Sequence, residues 1–119
     1  MKLSVIIPTY RRREFLTQAL GELISQLKSG DEIIVIDNFG HDGVEKLVES
    51  FSNKQVKYYF IAERGPSFAR NLGFRKSANS GIAFLDDDCL PEKNWLSKIR
   101  NILKEHQQDR IVFQGKINN

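Results

Sequence analysis

Cysteine, proline and tryptophan are scarce in this chain, whose 119 residues include one Cys, three Pro and one Trp. A single cysteine excludes an intramolecular disulfide and every zinc site built from several cysteines. No apolar run approaches the ~20 residues of a membrane-spanning helix, and the first residues, MKLSVIIPTY, lack the profile of a secretory signal peptide. We therefore expect a cytoplasmic protein without a transmembrane segment, or one bound peripherally to the inner face of the membrane.

Three motifs that often mark phosphate or ester chemistry are also missing. The chain has no GxxxxGKS/T loop, which argues against a P-loop nucleotidase. The sequence PTYRR follows the first apolar run, where a dinucleotide-binding site would have a glycine-rich turn. No G-x-S-x-G nucleophile elbow occurs, which argues against a serine hydrolase of that type.

The composition is that of an ordinary globular domain, with 40% hydrophobic and 28% charged residues. A chain of this length is expected to form one domain. The net charge of +3 and the pI near 9.1 are a mild positive excess. This excess suits an anionic small molecule but is too weak and scattered to indicate a nucleic-acid partner.

Short apolar runs alternate with amphipathic segments along the chain. Runs of strand length, rich in β-branched and aromatic residues, are typical of strands buried on both faces of a parallel sheet. Between them, apolar residues recur at helical spacing. The pattern predicts an α/β fold, a doubly wound, mostly parallel sheet with alternating helices. The predicted strands are Leu3–Pro8, Glu32–Asp37, Val56–Ile61, Gly81–Leu85 and Arg110–Gln114; the predicted helices span 15–27, 44–51, 68–76 and 95–103, with Pro91 near the first turn of the last one.

Polar and charged residues follow the predicted strands. In a doubly wound sheet, ligands bind at the carboxyl ends of the strands, so these residues are expected at one edge of the sheet. Hard divalent cations take carboxylate oxygens and share them with phosphates, and arginines take the remaining negative charge. The residues at this edge therefore suggest a ligand that carries phosphate and binds together with a metal ion. The residues concerned are Thr9–Arg11, Asp37–Asn38, Ala62–Arg64 and Asp86–Asp88.

The run of three aspartates, Asp86–Asp88, requires something that offsets the repulsion of neighbouring carboxylates. Capping of the helix that follows would account for one or two of these acids. An arginine or a metal ion could also offset the repulsion between the carboxylates. We favour the metal ion, because three acids are more than the start of a helix needs.

Structural roles compete with binding roles at several other positions. Tyr10 is either a packing residue at the end of its strand or a stacking face, and Asp37 is either a turn former or a ligand contact. Arg70 is either part of a structural ion pair or a ligand contact. The sequence also predicts a solvated helix start at Arg12 and Arg13. Gly73 and Cys89 are expected to serve packing, and the role of Arg11 stays open.

Four segments, SVIIPTYRR, EIIVIDN, GPSFARNLGF and IAFLDDDCLP, occur in this order and together carry a family resemblance. They resemble the nucleotide-binding half of the family-2 inverting glycosyltransferases, which have the GT-A fold. The resemblance covers essentially the whole chain. It implies a nucleoside-diphosphate sugar as donor, a saccharide or lipid-linked acceptor, as in polysaccharide biosynthesis, and no nucleic acid.

The resemblance also implies roles for individual residues in nucleotide binding. Pro8, Thr9 and Tyr10 match the first-strand motif, where the turn lies against the nucleotide base. Asp37 matches an acid that accepts a hydrogen bond from the base. Arg70, in the segment ARN, matches an arginine that reaches toward the nucleotide.

The aspartate run matches the D-x-D element of the same family. By this resemblance Asp86, together with Asp87, faces the ribose of the nucleotide. Asp88 holds Mn²⁺ or Mg²⁺ against the diphosphate, where the metal acts as a Lewis acid.

The chain departs from the family pattern in three respects. Arg11 stands where the family usually has Asn, and DNFGHDG replaces a D-G-S-T-D-like loop. In the family, the acceptor site and the general base come from a further half, downstream of a strand resembling VFQGKI. Residues 1–119 are therefore expected to be a single nucleotide-sugar-binding domain, apparently truncated and without the acceptor-binding half, and no catalytic base is assigned.

Three alternatives of other classes remain open at this point. One is a nucleotide-binding fragment or module without transferase activity, with an exposed sheet edge through which two copies could form a homodimer. Another is a phosphoacceptor receiver domain, which would need its acid pair at the end of the first strand. The third is a metal-dependent nucleotidyltransferase, which would need a glycine-rich basic loop there.

Overall fold

A computed structural model of the chain describes residues 2–105 and 112–115. Over these residues five strands alternate with four helices. Their bounds are β1 Leu3–Thr9, α1 Arg13–Gln26, β2 Glu32–Asp37, α2 Val44–Ser50, β3 Val56–Phe60, α3 Pro66–Lys76, β4 Gly81–Leu85, α4 Trp95–Glu105 and β5 Val112–Gly115. No helix in this part of the chain combines the length and apolarity needed to cross a bilayer.

The five strands form one parallel sheet with the order β3-β2-β1-β4-β5. The chain builds outward from β1 through β2 to β3, and then returns past β1 to add β4 and β5 on the other side. The strand order therefore reverses between β1 and β4. Ligands in open α/β sheets bind at such a switch point, beyond the carboxyl ends of the strands.

Helices cover both faces of the sheet. The larger core packs α1, α2 and α4 against one face, through residues such as Leu20, Leu47 and Ile99. On the other face, Ala69 of α3 packs with isoleucines such as Ile34 of β2. Alternate side chains of β1, β2, β3 and β4 enter opposite cores, which explains why these strands are rich in apolar residues. The prediction of a doubly wound parallel sheet is confirmed.

Element bounds agree with the sequence pattern to within two residues for most elements. Helix α3 begins at Pro66, two residues earlier than predicted, because proline fits the first helical position, where no backbone N–H is needed. The predicted position of Pro91 is wrong: α4 begins at Trp95, so the proline lies four residues ahead of the helix. The predicted start of the last strand, Arg110, lies outside the described residues.

A buried ion pair ties the amino-terminal edge of the sheet to α4. The Asp31 side chain is 1% exposed and pairs with the guanidinium of Arg100, whose side chain is 8% exposed. The same carboxylate accepts hydrogen bonds from the backbone N–H groups of Leu3 (2.9 Å) and Lys28 (2.8 Å). Asp31 therefore holds β1, the loop before β2 and α4 together.

A second buried acid, Glu32, lies beside this pair. It accepts hydrogen bonds from the Ser4 hydroxyl, the Lys57 ammonium (2.7 Å) and the Ala78 N–H (2.6 Å). Burial alone would raise the pKa of Glu32, but these three donors outweigh it and leave the pKa below its usual value. Both acids thus serve the fold, at the edge of the sheet opposite the carboxyl ends of the strands.

Helix α3 approaches the sheet closely because it has a glycine at the contact. A Cβ built on Gly73 would lie inside van der Waals distance of the Ile6 side chain of β1. This confirms the packing role expected for Gly73 and sets the position of α3, which carries Arg70.

Candidate functional site

A cleft of about 420 Å³ lies at the switch point of the sheet. Its volume is within the range of small-molecule sites. Residues from the ends of β1, β2 and β4 and from the start of α3 line it, as the topology rule predicts. They are Pro8, Thr9, Tyr10, Arg12, Asn38, Arg64, Gly65, Pro66, Ala69, Asp86 and Asp87.

Asp87, the middle acid of the run, faces inward and fixes the turn after β1. Its carboxylate accepts a hydrogen bond from the Tyr10 N–H (3.0 Å) and lies 3.6 Å from Nε of Arg12. Burial raises the pKa of Asp87, and the charge of Asp88 adds to this, whereas the Tyr10 N–H and Arg12 work against it. Asp87 therefore positions the first-strand turn against the β4 turn.

Asp86 and Asp88 flank this inward acid and are more exposed than it. Asp86 forms a long ion pair, 3.7 Å, with Arg70, and both side chains are about two-fifths exposed. Asp88 is exposed and accepts a weak hydrogen bond from the Cys89 thiol at 3.5 Å. The three acids can lie side by side because each one has a different partner.

The capping alternative for these acids is wrong. The aspartates form a turn closed by the Cys89 N–H donating to the Asp86 carbonyl (3.1 Å). Helix α4 begins only at Trp95, seven residues after Asp88. No acid of the run is therefore close enough in the chain to cap α4.

The donor set at this turn fits one divalent cation. One carboxylate oxygen each of Asp86 and Asp88 and the sulfur of Cys89 all lie within 4.8 Å of one another. Ligand atoms at roughly 2.0–2.4 Å from a shared ion are separated by distances of this order. The Arg70–Asp86 ion pair is long and partly exposed, and pairs of this kind contribute about 0–1 kcal/mol of stability. It therefore competes only weakly with a cation for the Asp86 carboxylate.

Asp37 lies beneath the site instead of lining the cleft. It is 1% exposed, and one carboxylate oxygen accepts the N–H groups of Phe39 (3.0 Å) and Gly40 (3.1 Å). The other oxygen accepts the Tyr58 hydroxyl at 2.7 Å. Burial and this bond raise the pKa of Tyr58 far above its usual value, so the hydroxyl stays a donor. The geometry is that of an Asx turn, the structural role considered for Asp37.

Tyr10 spans the mouth of the cleft and is 37% exposed. Its backbone contacts Asp87, while its hydroxyl accepts a hydrogen bond from Nη1 of Arg64 at 2.8 Å. Its ring meets the Phe39 ring edge-to-face at a centroid distance of 5.6 Å. Tyr10 therefore packs against Phe39 and still leaves part of its side chain exposed beside the cleft.

Arg11 has a backbone conformation that arginine rarely adopts. Its φ is +57°, in the left-handed region, which favours Asn and Gly. Its guanidinium lies 5.2 Å from the centroid of the Phe39 ring. The Asn expected from the family at this position therefore has a physical reason, and the arginine gains a cation–π contact instead.

The structure brings five of the eight predicted site residues to the cleft walls, namely Pro8, Thr9, Tyr10, Asp86 and Asp87. Arg70 does not line the cleft but forms an ion pair with Asp86, which does. Asp88 lies at the adjacent turn and Asp37 below the surface. Asn38 and Arg64, which the sequence placed at this edge without assigning them a role, also line the cleft. Arg12, predicted as part of a solvated helix start, lines it as well and pairs with Asp87, so the prediction of a purely solvated role is wrong for Arg12.

The chain belongs to the doubly wound α/β class of proteins. Its parallel sheet has a cleft at the switch point, and an acidic turn and arginines lie around this cleft. The model of one family, described as Glycosyl transferase family 2, matches residues 4–118. The chain belongs to this family, as the resemblance indicated.

Two curated relatives cover most of the chain but extend far beyond it. An uncharacterized glycosyltransferase of Rickettsia bellii is 34% identical over 113 residues, which are 94% of this chain and 16% of the relative. The poly(ribitol-phosphate) beta-N-acetylglucosaminyltransferase TarS of Staphylococcus aureus is 29% identical over 121 residues, 98% of this chain and 21% of the relative. The chain thus spans about a fifth or less of the length of these two proteins.

Solved structures confirm the GT-A fold. The crystal structure of residues 1–349 of S. aureus TarS in complex with UDP superposes with a TM-score of 0.79 at 29% identity, covering 90% of this chain and 33% of TarS 1–349. The mannosyltransferase PcManGT of Pyrobaculum calidifontis, in complex with GDP-Man and Mn²⁺, gives a TM-score of 0.75 at 23% identity, covering 85% of this chain and 32% of its own. The second likeness concerns the fold alone.

Proposed function

We propose that this chain is the donor-binding domain of a glycosyltransferase and binds a nucleoside-diphosphate sugar together with Mn²⁺ or Mg²⁺. The observation that carries the proposal is the cleft at the switch point, which is lined by Asp86 and by the partly exposed Tyr10, with Asp88 at the adjacent turn. The proposal is supported by family membership and by UDP in the related TarS structure.

In the proposed complex the nucleotide lies along the first-strand turn. The exposed Tyr10 ring offers a stacking face for the base, flanked by Pro8 and Thr9. Asp86 and Asp87 lie at the ribose end of the cleft. Arg70, released from its long pair with Asp86, reaches the diphosphate. The predicted base contact of Asp37 stays a prediction, and in this geometry the residue shapes the loop.

The metal is assigned to the turn after β4. Asp88 would hold it, with Asp86 near enough to offer a second carboxylate oxygen. When bound, a divalent cation supplies Lewis-acid stabilisation of the departing nucleoside diphosphate. A protein of the same fold is known with GDP-Man and Mn²⁺, so the fold is compatible with such a pair.

The proposed reaction is direct attack of an acceptor hydroxyl on the anomeric carbon, with inversion. The new glycosidic bond forms as the bond between the anomeric carbon and the diphosphate oxygen breaks, and the nucleoside diphosphate leaves. A general base, for which no residue of this chain is assigned, takes the hydroxyl proton. The saccharide or lipid-linked acceptor is proposed to bind a part of the protein that these residues do not form. We expect nucleotide binding from the 119-residue chain, and no efficient transfer by it alone.

Thermal unfolding with nucleotides tests the donor site. UDP, GDP and dTDP are each added with and without Mn²⁺ to the wild-type chain and to Asp88→Asn. A ligand that binds only the folded state adds about 2.7 kcal/mol of stability at about 100 times its Kd. We expect one nucleotide to raise the Tm by several degrees, only with Mn²⁺ present, and this shift to be lost in Asp88→Asn.

The matched control is Glu49→Gln, which also converts an acid to its amide but lies exposed on α2, away from the cleft. It should keep the full metal-dependent shift. If no nucleotide shifts the Tm of the folded wild type, the donor-site proposal is wrong. A shift in the absence of detectable sugar transfer would identify a nucleotide-binding module.

We also propose that two copies associate through a sheet edge. No described strand pairs with the other side of β5, and an edge of this kind can pair with another chain. Sedimentation velocity over a hundredfold concentration range is expected to show an increasing sedimentation coefficient. A constant monomer value over that range would rule the association out.

A further inference from the structure

The cleft contains a positive charge without a carboxylate partner among the described residues. Four charged side chains line the cleft, and three of them form ion pairs: Arg12 with Asp87, and Asp86 with Arg70. The fourth is Arg64, which is exposed at the mouth and has no acid within ion-pair distance in the described part of the chain.

The hydrogen-bonding capacity of Arg64 is largely unused. A guanidinium has five N–H donors and no acceptor. One of them donates to the Tyr10 hydroxyl at 2.8 Å, and the guanidinium carbon lies 5.1 Å from the centroid of the Tyr10 ring. This contact holds Arg64 across the cleft mouth, with further donors available to a ligand that carries acceptor atoms.

Tyr10 separates Arg64 from the acidic end of the cleft. The backbone N–H of Tyr10 is bound to Asp87, whereas its hydroxyl, at the far end of the side chain, is bound to Arg64. If the diphosphate and metal lie at the aspartate turn, the part of the ligand that reaches Arg64 is the opposite end of the nucleotide. That end is the base.

We propose that Arg64 determines base specificity by selecting bases with a carbonyl oxygen over bases with an amino group at the same position. The inference rests on the proposed function. A donor-only side chain pairs with an oxo group such as O6 of guanine and is mismatched against the amino group of adenine. Uracil and cytosine differ in the same way at position 4. The expected substrate class is therefore a sugar nucleotide of uracil, thymine or guanine.

Two matched ligand pairs test this inference. UDP and CDP carry an oxo and an amino group, respectively, at position 4 of the base. IDP and ADP differ in the same way at position 6, without the additional 2-amino group of GDP. With Mn²⁺ present, we expect the wild-type chain to bind the oxo nucleotide of at least one pair about tenfold more tightly than the amino nucleotide of that pair. A preference of this size corresponds to one well-made contact with the base. Isothermal titration calorimetry gives each Kd.

The informative variant is Arg64→Gln, since an amide both donates and accepts and so tolerates either base. We expect the oxo preference to fall to about twofold or less. The matched control is Arg75→Gln, which removes the same charge from an exposed position on α3 outside the cleft. It should keep the full preference, and circular dichroism should show all three proteins folded.

The outcomes separate this inference from the proposal on which it rests. If Arg64→Gln weakens both members of a pair equally, Arg64 contacts the phosphates or supports Tyr10, and base selection by Arg64 is wrong. Binding by the wild type with no oxo preference likewise overturns the inference and leaves the donor site intact. If none of the four nucleotides binds, the proposed function itself fails.

Discussion

Replacing Asp31 with alanine is expected to cost about 3–5 kcal/mol of the free energy of unfolding, as the loss of one partner from a buried ion pair usually does. The substitution leaves the Arg100 guanidinium buried without its carboxylate. It also removes the acceptor of the Leu3 and Lys28 N–H groups. Because whole domains are stable by only about 5–15 kcal/mol, such a loss brings the chain close to unfolding.

Urea unfolding followed by circular dichroism measures this loss. Asp31→Asn, which keeps an acceptor oxygen but not the charge, should fall between the wild type and Asp31→Ala. The double variant Asp31→Ala/Arg100→Met should recover part of the stability, because it removes the unpaired charge as well. A loss below about 1 kcal/mol in Asp31→Ala, typical of surface pairs, would show that the pair is not buried in solution.

Gly73→Ala is expected to destabilise the chain by about 1–3 kcal/mol, although alanine is normally the better helix former. The added methyl group would overlap the Ile6 side chain and force α3 away from β1. Since α3 carries Arg70 and begins beside the cleft, the same shift should weaken nucleotide binding.

The control for this substitution is Gly21→Ala on α1. A Cβ at Gly21 has no atom within 4 Å among the described residues, so the alanine should stabilise the chain by about 0.5–1 kcal/mol through helix propensity alone. Chemical denaturation of both variants gives the comparison. If Gly73→Ala gained stability as Gly21→Ala does, the close contact of α3 with β1 would not exist.

The sequence pattern was sufficient to predict the order of helices and strands along the chain. The run GIAFL and the four residues between Glu32 and Asp37 are apolar throughout, as is typical of strands covered by helices on both faces of the sheet. The pattern was less informative before α4. Pro91 fits a helix start, yet the turn at Asp86–Cys89 and the following segment delay the helix to Trp95.

The site was predicted in part, and the limit has a physical cause. Residues after strands converge because parallel strands all end at one edge, so the order of strands and acids in the chain was enough to bring Tyr10 near Asp87. Whether a given side chain faces the cleft or the interior depends on contacts with distant residues. Tyr58, 21 residues after Asp37, takes up one oxygen of that acid and directs it inward.

The sequence by itself determined the parallel α/β class, the family and the edge of the sheet where the site lies, because these follow from local periodicity and from the order of motifs along the chain. Only the tertiary structure decided which charged side chains form ion pairs with one another. It turned Asp87 toward Arg12, paired Asp86 with Arg70 and gave Arg64, at the cleft, no ion pair with any acid of the described segments. These pairings join residues distant in the chain, and electrostatic energy depends on distance in space, which no local pattern encodes.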